Sequence, residues 1–144
     1  MTRKFFMKIL TIFLMLASFL FARDIDINKK LQQLDGTKKY LYVYLHRVGC
    51  GYCSSMDEFT LDDDLVKEYI AKKFLFVQIN VSYDDTVYFK DFKGSSKEFA
   101  KYIGFNFYPS SLFFDKKGEM VEAKAGYIDE VPFLKYLKSI YGEK

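Results

Sequence analysis

Cys50 and Cys53 are the only cysteines in a chain of 144 residues, and they stand close together in "VGCGYCSSM". A CxxC pair can bind a metal, attach a haem, close a structural disulfide or exchange bonds with other thiols. Haem attachment requires His directly after the second cysteine, and Ser54 is there. Zinc takes four ligands, while His46 is the one histidine available and Glu58 makes a contrived fourth. Copper(I) favours soft ligands such as Cys and Met, and Met56 is near, so a Cu(I) carrier stays open. A bridge between Cys50 and Cys53 closes so short a loop that it removes little chain entropy, which argues against a structural staple. Redox exchange then depends on the compartment and on what positions the pair.

The compartment is written at the N-terminus. Arg3, Lys4 and Lys8 precede an uncharged apolar run from Ile9 to Ala22, the layout of a secretory signal peptide over residues 1–22. The run is short for a membrane span, which needs roughly 20 apolar residues. An uncleaved segment anchoring the protein in the inner membrane is the alternative. No cysteine follows the run, which excludes a lipid-modified N-terminal cysteine. The net charge of +3 equals the charge of those three basic residues, so the remainder is about neutral. It offers no basic, aromatic-interleaved face for nucleic acid. About 120 remaining residues suit one domain. Their aromatic and hydrophobic content, 19% and 50% over the whole chain, argues for a packed core and against disorder.

The elements that must hold the pair follow from periodicity. Residues 23–37 read as an N-terminal arm or short helix stopped at Asp35-Gly36, ahead of a domain over 38–144. "KYLYVYLHR" is apolar at nearly every position, as in a central strand buried on both faces. Helical spacing follows Cys53, with Met56 and Phe59 three apart. Asp62 or Asp63 caps a second helix carrying Leu65, Val66, Tyr69 and Ile70, so the Asp62–Asp64 run reads as a helix start and not a metal site. "FLFVQINV" is a strand, and residues 82–96 read as a polar stretch with turns. "KEFAKYIGF" is a short helix capped by Ser95 or Ser96, with Gly104 as its stop. "SSLFFD" and "EMVEAKAGY" pair as a hairpin across Lys117-Gly118. Asp129 opens a last helix bearing Val131, Phe133, Leu134, Leu137, Ile140 and Tyr141. Phe74, Phe76, Phe113 and Phe114 are expected in the core. Strands alternating with helices give an α/β fold with a central mixed sheet flanked by helices. The CxxC then lies at the N-terminus of a helix, the outline of a thioredoxin-like fold.

That position has a chemical consequence. Unpaired backbone N–H groups and the helix dipole favour negative charge at a helix start. The thiolate is the attacking species, so Cys50 is the expected nucleophile, and Cys53, one turn on, resolves the mixed disulfide. Gly51 lets a substrate backbone come close, and Tyr52 offers a side chain to tune the thiolate or meet a partner. His46 and Glu58 are candidate bases for Cys53, although a histidine at a strand end is more often packed or solvated. Pro109 reads either as a strand-start proline or as a cis X-Pro bond lying against the pair.

"VGCGYCSSM", "LDDDLVKEYIAKKFLFVQINV" and "KEFAKYIGFNFYPSSLFFDKKGEMVEAKAGYIDEVPFLKYL" resemble the thioredoxin superfamily over roughly residues 38–142. Within it, "KDFKGSSKEFAKYIGF" and "GYIDEVPFLKYL" are similar to SoxW-like periplasmic thioredoxins, which are associated with sulfur oxidation. The resemblance implies that Cys50 attacks, Cys53 resolves, the pair forms a redox-active disulfide, Pro109 is the cis-proline and Tyr108 contacts substrate backbone. It also implies no cofactor and no metal. The partners implied are cysteine-containing periplasmic proteins and a membrane electron-transfer protein that recharges the pair, with the protein itself a monomer. A reductant of disulfides in exported proteins is the favoured activity, with a disulfide oxidase or isomerase as the alternative. The chain departs from many thioredoxins in Gly49 for Trp, Gly51-Tyr52 for Gly-Pro, Tyr108 for Thr or Val, and Tyr44 for a buried acid.

Overall fold

Strand β2 (Tyr40–His46) organises the molecule, because side chains on both of its faces are buried. The computed structural model describes residues 23–143, and the predicted signal peptide lies outside the described residues. β2 pairs in parallel with β3 (Phe74–Asn80) and antiparallel with β6 (Ser110–Phe114). β6 pairs in turn with β7 (Met120–Ala125), so the four-stranded order is β3-β2-β6-β7. The parallel pair is joined by helices, as parallel neighbours require, and the antiparallel edge is the hairpin expected across Lys117-Gly118.

Alternation along β2 divides the interior into two cores. Leu41, Val43 and Leu45 pack with Phe99, Leu112 and Phe114. Tyr42 and Tyr44 face the other way, against Met56, Val66, Phe113 and Phe133. Each phenol brings a polar atom inside, and an unpaired one would be costly. The Tyr42 hydroxyl shares a hydrogen bond with Ser111 Oγ at 2.8 Å, and the Tyr44 hydroxyl donates to the Cys53 carbonyl at 3.4 Å.

The helices begin where polar caps stand. α3 (Asp64–Lys73) starts at Asp63, whose carboxylate accepts from the Leu65 and Val66 amides. α4 (Ser96–Tyr102) starts at Ser95, which exchanges reciprocal hydrogen bonds with Glu98 in a capping box. α5 (Glu130–Tyr141) buries Phe133 and Leu137. No helix among the described residues is long and apolar enough to cross a membrane.

Several findings go beyond or depart from the sequence expectations. Residues 82–96 contain a hairpin, β4 (Thr86–Phe89) and β5 (Phe92–Ser95), which with β1 (Asp24–Asp26) forms a second sheet of order β1-β4-β5. β1 and α1 (Ile27–Gln32) bury Ile25, Ile27 and Leu31 in the first core. Phe76 is 38% exposed because β3 is an edge strand of the four-stranded sheet and this residue clears the helices. Val131 and Leu65 point to solvent although their spacing fits a helix. After Cys53, α2 (Gly51–Ser55) passes into a π-helical segment (Met56–Leu61), and its wider winding carries Thr60 inward and leaves Phe59 exposed.

Candidate active site

The loop from β2 to α2 delivers the cysteines. It leaves β2 after His46, turns at Gly49 in the left-handed region (φ 70°) where glycine is favoured, and reaches Cys50 as the N-cap of α2. Cys50 and Cys53 form a disulfide with Cα atoms 5.2 Å apart. The Cys53 amide donates to Cys50 Sγ at 3.1 Å, so the sulfur occupies the cap position that accepts orphan helix donors. Ser54 N–H donates to the Cys50 carbonyl at 3.1 Å and completes the turn. Cys50 is 7% exposed and Cys53 2% exposed, so the first sulfur is the accessible one.

Pro109 stands immediately ahead of β6. The Tyr108–Pro109 peptide bond is cis. The Tyr108 carbonyl oxygen lies 3.7 Å from Cys50 Sγ. Tyr108 and Cys50 are therefore neighbours in space although 58 positions apart in sequence. Burial pushes the Tyr108 phenol up, and nearby Arg47 opposes that shift. Gly51 and Tyr52 are exposed beside the pair, Tyr52 by 70%. Val48 and Phe107, on the loops that carry Cys50 and Tyr108, are also solvent-facing apolar groups.

The predicted bases for Cys53 lie differently. Glu58 is exposed. His46 is half-buried and stacks on Tyr44, with ring centroids 5.2 Å apart. Burial lowers its pKa below 6.5, while the Asp57 carboxylate pulls the other way. Asp57, which the sequence reading passed over, lies near Tyr44 and His46. Its Oδ1 is buried and makes no hydrogen bond among the described residues. Burial, and after it the Asp57 charge, pushes the Tyr44 phenol far up. The available signal was its place in the helical run that continues from the pair, four residues after Cys53. Among the described residues, no group of three or more His, Cys, Asp and Glu side chains is placed to hold a metal ion.

Two sulfurs that can open and close in place, one accessible and capped by an amide, suit exchange with a foreign disulfide. The profile of a thioredoxin-like domain family matches residues 27–141. Among solved structures, a thioredoxin-fold protein from Helicobacter pylori is 26% identical, with 72% of this chain and 69% of that one covered and a TM-score of 0.56. A thioredoxin from Thermus thermophilus is 24% identical, with 83% and 86% covered and a TM-score of 0.61. A putative disulphide-isomerase from Bacteroides thetaiotaomicron is 24% identical, with 85% and 93% covered and a TM-score of 0.63. The last two likenesses speak for the fold alone. No curated protein matches the chain. Family profile, fold and paired cysteines agree: the chain belongs to the thioredoxin-like family and is a thiol–disulfide oxidoreductase.

Proposed function

We propose that Cys50 is the attacking thiol and Cys53 the resolving thiol of an exported reductase that opens disulfides in other exported proteins. The observation that carries the role assignment is the Cys53 amide aimed at Cys50 Sγ at 3.1 Å. In the reduced protein that donor stabilises a Cys50 thiolate, as a charge-assisted hydrogen bond does. The thiolate attacks a substrate disulfide, a Cys50–substrate bond forms, and the other substrate sulfur leaves as a thiolate. Cys53 then attacks Cys50 Sγ, closes the Cys50–Cys53 bond and releases the second substrate sulfur. Two electrons pass from the pair to the substrate. A membrane electron-transfer protein returns the pair to its dithiol form.

Tyr108, Pro109, Gly51 and Tyr52 form the substrate-binding surface in this reading. The Tyr108 carbonyl beside Cys50 supports it, because a backbone carbonyl at that place can accept from an extended substrate chain. Residues 1–22, a basic start followed by an uncharged apolar run, support export to the periplasm. Similarity to SoxW-like thioredoxins supports the reductive direction.

Insulin reduction by the protein without residues 1–22 tests the assignment. Cys50→Ser is expected to abolish activity, and Cys53→Ala to accumulate a mixed disulfide on Cys50. Full activity in Cys50→Ser would end the role assignment. Trapping of thiols in living cells tests direction: a pair found wholly oxidised at steady state would favour an oxidase or isomerase over a reductase.

A further inference from the structure

Asp85, the residue before β4, is the one acidic residue buried as a whole among the described residues, at 7% exposure. A carboxylate out of water is costly unless charge and hydrogen bonds compensate it. Among the described residues, the donors to this carboxylate all belong to Arg23. The Arg23 amide nitrogen donates to Oδ1 at 3.1 Å, and Nη2 lies 3.5 Å from Oδ2. The guanidinium is the weaker partner, because its side chain is 66% exposed and a pair so open to water contributes little. The backbone of Arg23 is held more firmly. Its carbonyl accepts from the Thr86 amide at 3.0 Å, and β1 and β4 pair in parallel from Asp24 opposite Thr86. The buried acid is thus aimed at a backbone nitrogen that is fixed in place. Arg23 is also the residue after Ala22, the small residue that ends the predicted signal peptide.

We propose that a signal peptidase cuts the Ala22–Arg23 bond and that the α-ammonium group it releases locks onto Asp85, completing the mature fold. Water is the co-reactant. Its oxygen goes to the new Ala22 carboxylate, and its two hydrogens go to the Arg23 nitrogen, which becomes an ammonium at neutral pH. A neutral donor thereby turns into a charged one at the same place, 3.1 Å from a buried carboxylate oxygen. Charge-assisted hydrogen bonds are roughly twice as strong as neutral ones. The sheet of order β1-β4-β5 is then clamped at the first residue of the mature chain. In the precursor the same nitrogen is an amide, and the acid has only the exposed guanidinium for charge. The proposal uses export as read above and none of the thiol chemistry.

Intact mass and N-terminal sequencing of the exported protein test the cut, with Arg23 expected as the first residue. Another first residue, or a chain that keeps residues 1–22, overturns the proposal. The ion pair is tested on two chains, one starting at Arg23 and one at Ala22, in which the nitrogen is an amide again. Each is released from an N-terminal fusion by a protease that leaves no added residue. In urea unfolding of the oxidised proteins in mildly acidic buffer, the unfolding equilibrium constant of the Arg23 chain is expected to be about 5-fold lower, the difference between hydrogen bonds to charged and to neutral groups. An α-amino group ordinarily titrates at about 7.7–8.0, and a carboxylate beside it raises that value in the folded chain. The advantage is therefore complete below about 8 and disappears as pH rises through the folded-state value. The other titratable groups around Arg23 are Asp24 and Asp26 on β1, Lys30 on α1, His46 on β2 and Tyr83 before β4. They are common to both chains and cancel in the comparison. In Asp85→Asn the two chains should be equally stable. Equal stability without that substitution, or a difference that persists at high pH or in Asp85→Asn, overturns the ion pair. If Asp85→Asn does not fold, the pH series alone decides. Insulin reduction enters neither readout, so its failure would remove the thiol roles and leave this proposal standing.

Discussion

The two sulfurs are chemically alike and made different by three residues of helix. Cys50 occupies the cap and receives an amide, while Cys53 sits inside under Tyr44. This asymmetry was legible in the sequence, because a strand ending before a CxxC leaves the first cysteine at a helix start. The surroundings of Cys53 were less legible. They depend on which β2 side chains point toward α2, and that is settled only once Tyr42, Tyr44 and His46 share a face. His46 illustrates the point, since an imidazole at a strand end can face water or a ring, and here it faces Tyr44. Its pKa is lowered, chiefly by burial. The folded state therefore binds the proton less readily than the unfolded chain, in which histidine titrates near about 6.5. The stabilisation is complete above that value and is lost as pH falls through the folded-state pKa. Urea unfolding at a series of pH values should show wild type losing stability below about 6.5 faster than His46→Gln. Parallel curves for the two proteins would contradict the burial assigned to this ring.

At the scale of elements, caps and spacing decided what could be read. Asp63 and Ser95 are helix starts that their residue types announce, and both make the expected side-chain bonds. Asp63→Ala removes the acceptor for two amides of α3. It should cost about 1 kcal/mol, within the usual 0.5–2 for a cap, in chemical denaturation, with disulfide exchange by the folded protein unchanged. A cost near zero would mean that water replaces the carboxylate fully. The β4–β5 hairpin escaped because its turn carries Lys90 at positive φ (52°) in place of a glycine, with four-residue strands on either side. The alternation of Val87 and Phe89 inward was the signal that remained. The π-helical segment escaped for a different reason. Residue types at Met56–Leu61 fit an α-helix, and only packing shows that Thr60, donating to the Ile128 carbonyl at 2.6 Å, faces inward in place of Phe59.

At the scale of the whole molecule, one strand is shared by two cores, so the site is held from both sides of the sheet. The nearly continuous apolar run of 40–46 made the buried strand legible, and the strand–helix order gave the fold class. The second sheet and the packing of β1 and α1 were not legible, because their segments are short and mostly polar. Phe133 lies in the core with Tyr42 and Met56, where α5 meets the π-helical segment. Phe133→Ala should destabilise by about 3–5 kcal/mol, the usual loss for a fully buried phenylalanine, as measured by denaturant unfolding of the oxidised protein. A loss under about 1 kcal/mol would show that this side of the sheet does not depend on α5 packing as described.

The central proposal is that the helix start after β2, with the Cys53 amide, holds Cys50 of the reduced protein as an attacking thiolate. Ultraviolet titration of the thiolate in reduced Cys53→Ala, which leaves Cys50 as the only sulfhydryl and keeps the backbone amide at position 53, tests it directly. The account predicts a midpoint clearly below the value of about 8.5 for free cysteine. A midpoint at or above that value would contradict it.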